Sequence, residues 1–388
     1  MWLLTSDGAE LKYYARPPKR YAILSHVWRK SGRPGQASLE QSFQDVRRII
    51  KRSKRTGEDP RTLLSTKIRR CCAWAAEHGF DLVWIDTCCI DKTSSAELSE
   101  AINSMFTWYR MASICYAYLH DVSIRDDPFE ADSSFRRSKW FTRGWTLQEL
   151  IAPRDVIFLS REWFPLTSKR ASPGILHDLT GIDTDVLLGR RALNDVSAAK
   201  RMSWAAGRKT SRIEDEAYCL MGLFGVSMPT IYGEGPEAFF RLQVEIRNKT
   251  QDQSLFVWGP SLSLMETVAG CPSKVFPAKD DFSFVYSSGL LARSPAAFAG
   301  SPEVAALDVE DWAARHNIET QLPRFNMTSY GMRATLPIAR FPNRCDVALI
   351  PCDLGGATVG LLLRFQGLGS PWCLSNCVVR WPFSESTK

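Results

Sequence analysis

The sequence predicts an α/β protein: a mostly parallel sheet flanked by helices, then a helical extension and a carboxy-terminal β-rich module. Three observations carry this. Short apolar runs alternate with stretches of helical period from Lys19 to Ser160, which is the pattern of strands joined by crossover helices. From Leu176 to Asn248 the apolar spacing is helical. From about Gly259 it changes to short apolar stretches separated by Gly, Pro and Ser. The expected division is therefore 1–258, with the α/β core at about 19–165, and 259–388. At 388 residues, 45% hydrophobic and 23% charged, the chain has material for a sizeable core and two substructures.

Taken in order, Lys19 to Trp28 reads as an apolar strand that ends in Ser25-His26-Val27-Trp28, and open α/β sheets place ligands at such carboxyl ends. Arg29 to Thr66 is basic and broken by Gly32, Pro34, Gly35, Gly57 and Pro60; one short helix is expected around Leu39 to Arg52. Lys67 to His78 is a helix, and Gly79 stands where a left-handed cap closes it. Phe80 to Asp86 is a continuous apolar strand bounded by carboxylates, as expected for a strand covered on both faces. After Asp86-Thr87-Cys88-Cys89-Ile90-Asp91-Lys92, the run Thr93-Ser94-Ser95 supplies a cap for a helix over Ala96 to Met111. Ile114 to Leu119 is a third strand and Asp155 to Ser160 a fourth.

Between those two strands lies Trp140 to Ile151. A helix starting near Thr142 puts Trp145 and Glu149 four apart on one face, with Leu147, Leu150 and Ile151 turned to the core. Farther on, helices are expected over Leu176 to Leu188, Asp195 to Ala206 (capped by Asn194 or Asp195), Ile213 to Phe224 and Pro236 to Asn248. Strands are expected over Phe282–Tyr286, Gly331–Leu336, Asp346–Ile350 and Thr358–Phe365, with a helix or insertion at Asp308 to His316.

Composition excludes several classes. The net charge of +7 is diluted over the length, and much of it lies in Arg47 to Arg55 and Arg69-Arg70 without interleaved aromatics, so no nucleic-acid partner is expected. Met1-Trp2-Leu3-Leu4 runs at once into Thr5, Ser6 and Asp7, and no apolar run reaches the roughly 20 residues that span a bilayer. A cytoplasmic protein with no membrane span is the expectation. The 11 cysteines include Cys71-Cys72 and Cys88-Cys89 in apolar surroundings without ligand spacing, so reduced, buried thiols and no metal site are expected. Neither a phosphate loop nor a dinucleotide fingerprint occurs, which argues against a P-loop motor and hydride transfer.

Tyr21 to Trp28, Trp84 to Asp91 and Arg143 to Leu150, in that order, resemble the three signature blocks of the fungal heterokaryon-incompatibility (HET) domain. Glu214 to Phe224, Tyr232 to Gly235, Ser254 to Trp258 and Gly289 to Pro295 are similar to the segment that follows it in many members. A more distant similarity is to TIR domains, in which a Trp-Cys-Leu-x-Glu-Leu segment carries a glutamate used in NAD hydrolysis. Here Trp145-Thr146-Leu147-Gln148-Glu149-Leu150 matches it except at Thr146. The resemblance implies a TIR-like sheet and a role in programmed cell death and self/non-self recognition. It further implies Glu149 as the catalytic residue, NAD or a related nucleotide as substrate with no separate cofactor, and self-association or a regulatory protein as partner.

The chemistry suits a lone carboxylate. Cleaving the bond between nicotinamide and ribose builds positive charge on the ribose, which a carboxylate stabilises, and nicotinamide leaves without a general acid. Trp28 or Trp145 would be the aromatic shelf. The other candidates each keep two roles. Ser25 and His26 line the pocket, or the imidazole bonds a loop carbonyl. Asp86 and Asp91 flank the loop that in TIR-like proteins closes over the site or forms the self-association surface, or either caps the next helix, the role favoured for Asp91. Glu97 serves the helix dipole. Arg143 contacts a phosphate or carboxylate, or pairs with Asp86 or Asp91. A Cys89–His26 dyad is disfavoured, because buried thiols are inert. Two further readings stay open beside NAD hydrolysis: a non-catalytic interaction module, and a tailoring enzyme for another small molecule.

Overall fold

The computed structural model describes residues 1–28, 40–263, 290–315, 324–328, 331–335, 337–340, 345–364 and 373–381. These residues form two compact units, the first Met1–Ala192 with Arg208–Gly233, the second Leu193–Gly207 with Glu234–Lys388.

The first unit is built on a seven-stranded sheet of β1 (Trp2–Thr5), β2 (Leu11–Tyr13), β3 (Ala22–His26), β4 (Leu82–Ile85), β5 (Ile114–Tyr118), β6 (Val156–Leu159) and β7 (Pro165–Ser168), in the order β2-β1-β4-β3-β5-β6-β7. The centre, β4-β3-β5-β6, is parallel, and β1, β2 and β7 add antiparallel edges. All five residues of β3 are buried, as a central strand under helices on both faces requires.

Between β3 and β4 run α1 (Phe43–Thr56), α2 (Pro60–Leu63) and α3 (Thr66–Glu77). The expected helix near 39–52 is thus α1, shifted because Ser42 and Asp45 form a reciprocal capping box; residues 29–39 lie outside the described residues. Between β4 and β5 runs α4 (Ser95–Met111), capped by Ser94. Trp84 of β4 packs edge-on against Trp108 and Tyr109 of α4, whereas Tyr116 of β5 meets Trp74 of α3. The two connections therefore cover opposite faces, as right-handed crossovers on either side of β3 demand. The order places a topological switch point beside β3, where ligands bind in open α/β sheets.

The segment after β5 departs from the expected continuous helix. A 3-10 turn at Lys139–Thr142 is followed by a break, and α5 covers only Thr146–Ile151. The break exists because Arg143 bridges to Lys209, so its backbone serves a strand-like partner. The stretch predicted as one helix from Leu176 to Leu188 is two, α6 (Pro173–Thr180) and α7 (Thr184–Leu187), parted where Gly181 takes φ 69° and closes α6. Ile213 to Phe224 likewise forms two single turns, α9 (Asp215–Tyr218) and α10 (Met221–Phe224). Gly222 there lies so close to Phe106 that a Cβ would stand 2.1 Å from the Phe106 Cβ.

The second unit holds α8 (Ala198–Ala206), α11 (Glu237–Lys249), β8 (Ser261–Ser263), β9 (Val304–Ala306), α12 (Val309–Arg315), β12 (Ile338–Arg340), β13 (Cys345–Leu354), β14 (Ala357–Arg364) and β15 (Cys373–Trp381), with β10 (Arg324–Thr328) and β11 (Gly331–Thr335) as a separate pair. Its six-stranded sheet runs β12-β13-β14-β15-β8, with β9 against β13. The cap of α8 is Ser197, with Asp252 accepting from Ala198 N at 2.6 Å, in place of the expected Asn194 or Asp195. The strand expected over Phe282–Tyr286 lies outside the described residues. No helix among the described residues is long and apolar enough to cross a membrane. Cys71, Cys72, Cys88, Cys89, Cys115, Cys219 and Cys352 are buried free thiols.

Candidate functional site

Every residue of α5 is buried, so its one carboxylate, Glu149, has no solvent-facing side to occupy. The helix is held at both ends. Ahead of it, Gly144 N donates to Lys209 O at 2.9 Å, Lys209 N to Thr142 O at 2.7 Å, and the Arg208 guanidinium to Arg143 O at 2.9 Å and Thr146 Oγ1 at 3.1 Å. Gly144 must lack a Cβ, which would fall 2.5 Å from Thr210 Cγ2. Behind it, Lys169 reaches in from the end of β7 and donates to the carbonyls of Leu150, Ile151 and Pro153. Those are the orphan carbonyls of a helix end, answered by an ammonium.

Glu149 keeps only 7% of its surface exposed. Ser25, at the end of β3, donates its hydroxyl proton to Glu149 Oε2 while accepting the indole N–H of Trp140 at 2.7 Å, which fixes the direction of the chain. The Tyr109 hydroxyl is a further hydrogen-bond neighbour. It also donates to Leu24 O at 3.0 Å, so a neutral Glu149 meets it as an acceptor and an ionised one competes for its proton. Burial, the largest effect, and the nearby charge of Asp86 push the Glu149 carboxyl up to about 8, against the opposing pull of Ser25, Tyr109 and Arg143. No ion pair neutralises it among the described residues.

In front of Glu149 opens a cavity of about 310 Å³, at the lower end of the range of ligand clefts. His26, Trp28, Asp86, Lys92, Arg143, Trp145, Arg212, Asp215 and Tyr232 share its wall with apolar residues of α4. Of the residues singled out in the sequence, Glu149, His26, Trp28, Asp86, Arg143 and Trp145 meet there. Ser25 does not line the cavity; it is fully buried behind Glu149, which it orients.

The finer expectations need correction. His26 bonds no loop carbonyl: its Nδ1 accepts from Lys67 Nζ at 3.0 Å, so Nε2 carries the proton that Asp86 Oδ1 receives at 3.0 Å. Burial alone would raise the Asp86 carboxyl, but His26, Lys92 and the Trp28 N–H at 2.6 Å hold it down at about 2. Arg143 pairs with neither Asp86 nor Asp91; it donates to Ser211 Oγ at 3.2 Å. Asp91 does not cap α4, a role Ser94 fills, and instead accepts from Thr93 and from Gln44 Nε2. Trp28 and Trp145 both line the cavity, and Lys92 Nζ stands 3.8 Å from the Trp28 ring centroid. The Trp145 indole lies beside Asp215 in the same wall and offsets part of the rise that burial imposes on that carboxyl.

Lys92, Arg212 and Tyr232 had no mark as site residues in the sequence. The Glu214-Asp215-Glu216 run reads there as a favourably charged helix start or as a cap on the pocket from outside, and the fold brings Asp215 into the cavity wall.

A family model described as "Heterokaryon incompatibility protein (HET)" matches residues 21–130, which include β3, β4, α4 and β5. The vegetative incompatibility protein HET-E-1 of Podospora anserina is 46% identical over 235 residues, 59% of this chain and 16% of that protein. The chain carries a HET domain. It spans only 16% of the length of that curated relative. The HET match ends before Glu149, so α5 belongs to the first unit but lies beyond the matched residues. A second model, described as a domain of unknown function (DUF8212), matches residues 237–348. No solved structure matches the chain.

Proposed function

We propose that this HET-domain chain acts in vegetative incompatibility as a cell-death effector, and that it hydrolyses the bond between nicotinamide and ribose in NAD at the Glu149 cavity. The observation that carries the reading is the Glu149 carboxyl, buried with no ion pair among the described residues and held by Ser25, at the back of a cavity whose wall also holds Trp145 and three cationic side chains. The likeness of Trp145 to Leu150 to the glutamate segment of TIR domains supports it at the level of sequence, and the name of the similar Podospora anserina protein supports the biological role.

The chemistry follows from the carboxyl's environment. A neutral Glu149 in the empty cavity loses its proton when the positively charged pyridinium of NAD comes close, because an adjacent cation favours the carboxylate. As the bond from ribose C1 to the nicotinamide nitrogen lengthens, the electron pair goes to nicotinamide, and Glu149 stabilises the cationic ribose. Water then adds to C1 and gives up a proton, leaving ADP-ribose. Removing such an electrostatic group costs about 2.7 to 4 kcal/mol of barrier, a hundredfold or more in rate. Glu149→Ala and Glu149→Gln are expected to release no measurable nicotinamide from NAD while keeping the wild-type circular dichroism spectrum. Assays should span several protein concentrations, since activity tied to self-association appears only above the assembly threshold. Unchanged turnover in either variant removes Glu149 from the mechanism. A wild-type chain that assembles and still releases no nicotinamide leaves the interaction-module reading.

A further inference from the structure

We propose that the mouth of the same cavity is a diphosphate subsite formed by Lys92, Arg143 and Arg212, so that the ligand is a diphosphate-bearing nucleotide and a free nucleoside is a poor one. The inference deepens the hydrolytic reading and rests on it for which end of the ligand lies nearest Glu149.

Three cations line one cavity there. Lys92 Nζ stands 3.8 Å from the Trp28 ring centroid and Arg212 Cζ 4.2 Å from that of Tyr232. Cation–π contacts of this kind fix where a charge sits without consuming its N–H donors. Neither Lys92 nor Arg212 donates a side-chain hydrogen bond or forms an ion pair within 4.0 Å among the described residues, and Arg143 spends one donor on Ser211. The two carboxylates of the same wall make their hydrogen bonds elsewhere, Asp86 with His26 and Trp28 and Asp215 with Tyr232 at 3.0 Å, so the charges of Lys92 and Arg212 act on them without using an N–H donor. The wall therefore offers two planar guanidinium forks and one ammonium to an anion, with aromatic surface beneath them. Arginine forks match phosphate oxygens two at a time, and a diphosphate presents two adjacent sets of them. A nucleoside, lacking phosphate oxygens, would leave these donors unmatched.

The test is titration calorimetry of the full chain with ADP-ribose, inorganic pyrophosphate and nicotinamide riboside, repeated on Lys92→Ala and Arg212→Ala. Both side chains reach the surface, so both variants are expected to fold, with the wild-type circular dichroism spectrum as the check. ADP-ribose is expected to bind at least tenfold more weakly to each variant and to weaken further with added salt, nicotinamide riboside to be unaffected, and Arg212→Lys to recover part of the loss. Pyrophosphate binding that is lost in the same variants would assign the contact to the phosphates and not to the adenosine. Undiminished ADP-ribose binding in both variants, or wild-type binding no tighter than that of nicotinamide riboside, would overturn the proposal. If ADP-ribose binds in the expected pattern and NAD is not cleaved, the subsite stands and the hydrolytic reading falls. Nicotinamide release at full kcat/KM in both variants would leave the hydrolytic reading standing and remove the subsite.

Discussion

At the scale of single residues, the telling group is Glu149, whose ionisation should control both activity and stability. Because its carboxyl titrates at about 8 in the empty cavity, nicotinamide release at low NAD is expected to rise with pH and reach half its plateau near there, accompanied by proton release on binding below that pH. A flat profile from pH 6 to 9 would contradict this. The stability effect has the opposite direction. An unfolded glutamate ionises near 4.5, so between 4.5 and about 8 the folded chain holds a proton that the unfolded chain has lost, and stability falls as pH rises through this window. Glu149→Gln removes that slope. Its thermal midpoint should draw ahead of the wild type's from pH 5 to pH 8, and parallel curves would show that the buried carboxyl is not the cause. Glu149 was legible in sequence because a carboxylate among two tryptophans, an arginine and a glutamine stands out. Lys92 and Arg212 were not, because a charged residue in a loop has no local signal of what faces it across a cavity. Ser25 reads in sequence as a pocket-lining residue and instead stands behind Glu149, since a strand-end hydroxyl looks the same in sequence whether it faces a ligand or the back of a carboxylate.

At the scale of elements, the site depends on how six residues of α5 are fixed, since so short a helix has little stability of its own. The Lys169 ammonium is buried, at 2% exposure, and its partners are the carbonyls at the end of this helix. Lys169→Met keeps the stem's bulk and removes the donors. The stranded carbonyls should cost about 1 to 3 kcal/mol, seen as a lowered thermal midpoint. If Lys169 positions Glu149, kcat falls while KM for NAD stays put, and Lys169→Arg restores part of the rate. A lowered midpoint with unchanged kcat would make Lys169 a stabilising residue only. Sequence pattern located β3, β4, β5, β6, α3 and α4 well, because long amphipathic or continuous apolar runs carry their own period. It failed where a run of helical composition is interrupted by tertiary demands: at Arg143, whose backbone bonds Lys209; at Gly181, whose left-handed turn outweighs the leucines on either side; and at Gly222, drawn against Phe106.

At the scale of the whole molecule, the two units are interleaved along the chain, which no local pattern in the sequence could disclose. Leu193–Gly207 belongs to the second unit, yet the next residues, Arg208–Gly233, return to the first and supply Arg212, Asp215 and Tyr232 to the cavity wall. The consequence is that the HET-bearing unit cannot be isolated cleanly by ending the chain at Gly233. Within the second unit α8 buries Ala198, Ala199, Met202 and Trp204, and its first turn is held by Asp252, by Ser254, and by the bond from Ser197 to Val304 O. All three of those partners are lost in residues 1–233, which leaves α8 with only its own Ser197 cap and an apolar surface of the kind that promotes association. Replacing Leu193–Gly207 with a Gly/Ser linker of the same length should cure the defect without touching the cavity wall. The expected result is that residues 1–233 aggregate or bind a hydrophobic dye, whereas the linker version elutes as a single discrete species and still binds ADP-ribose. Equal behaviour of the two on gel filtration would mean that α8 is stable without its partners in the second unit.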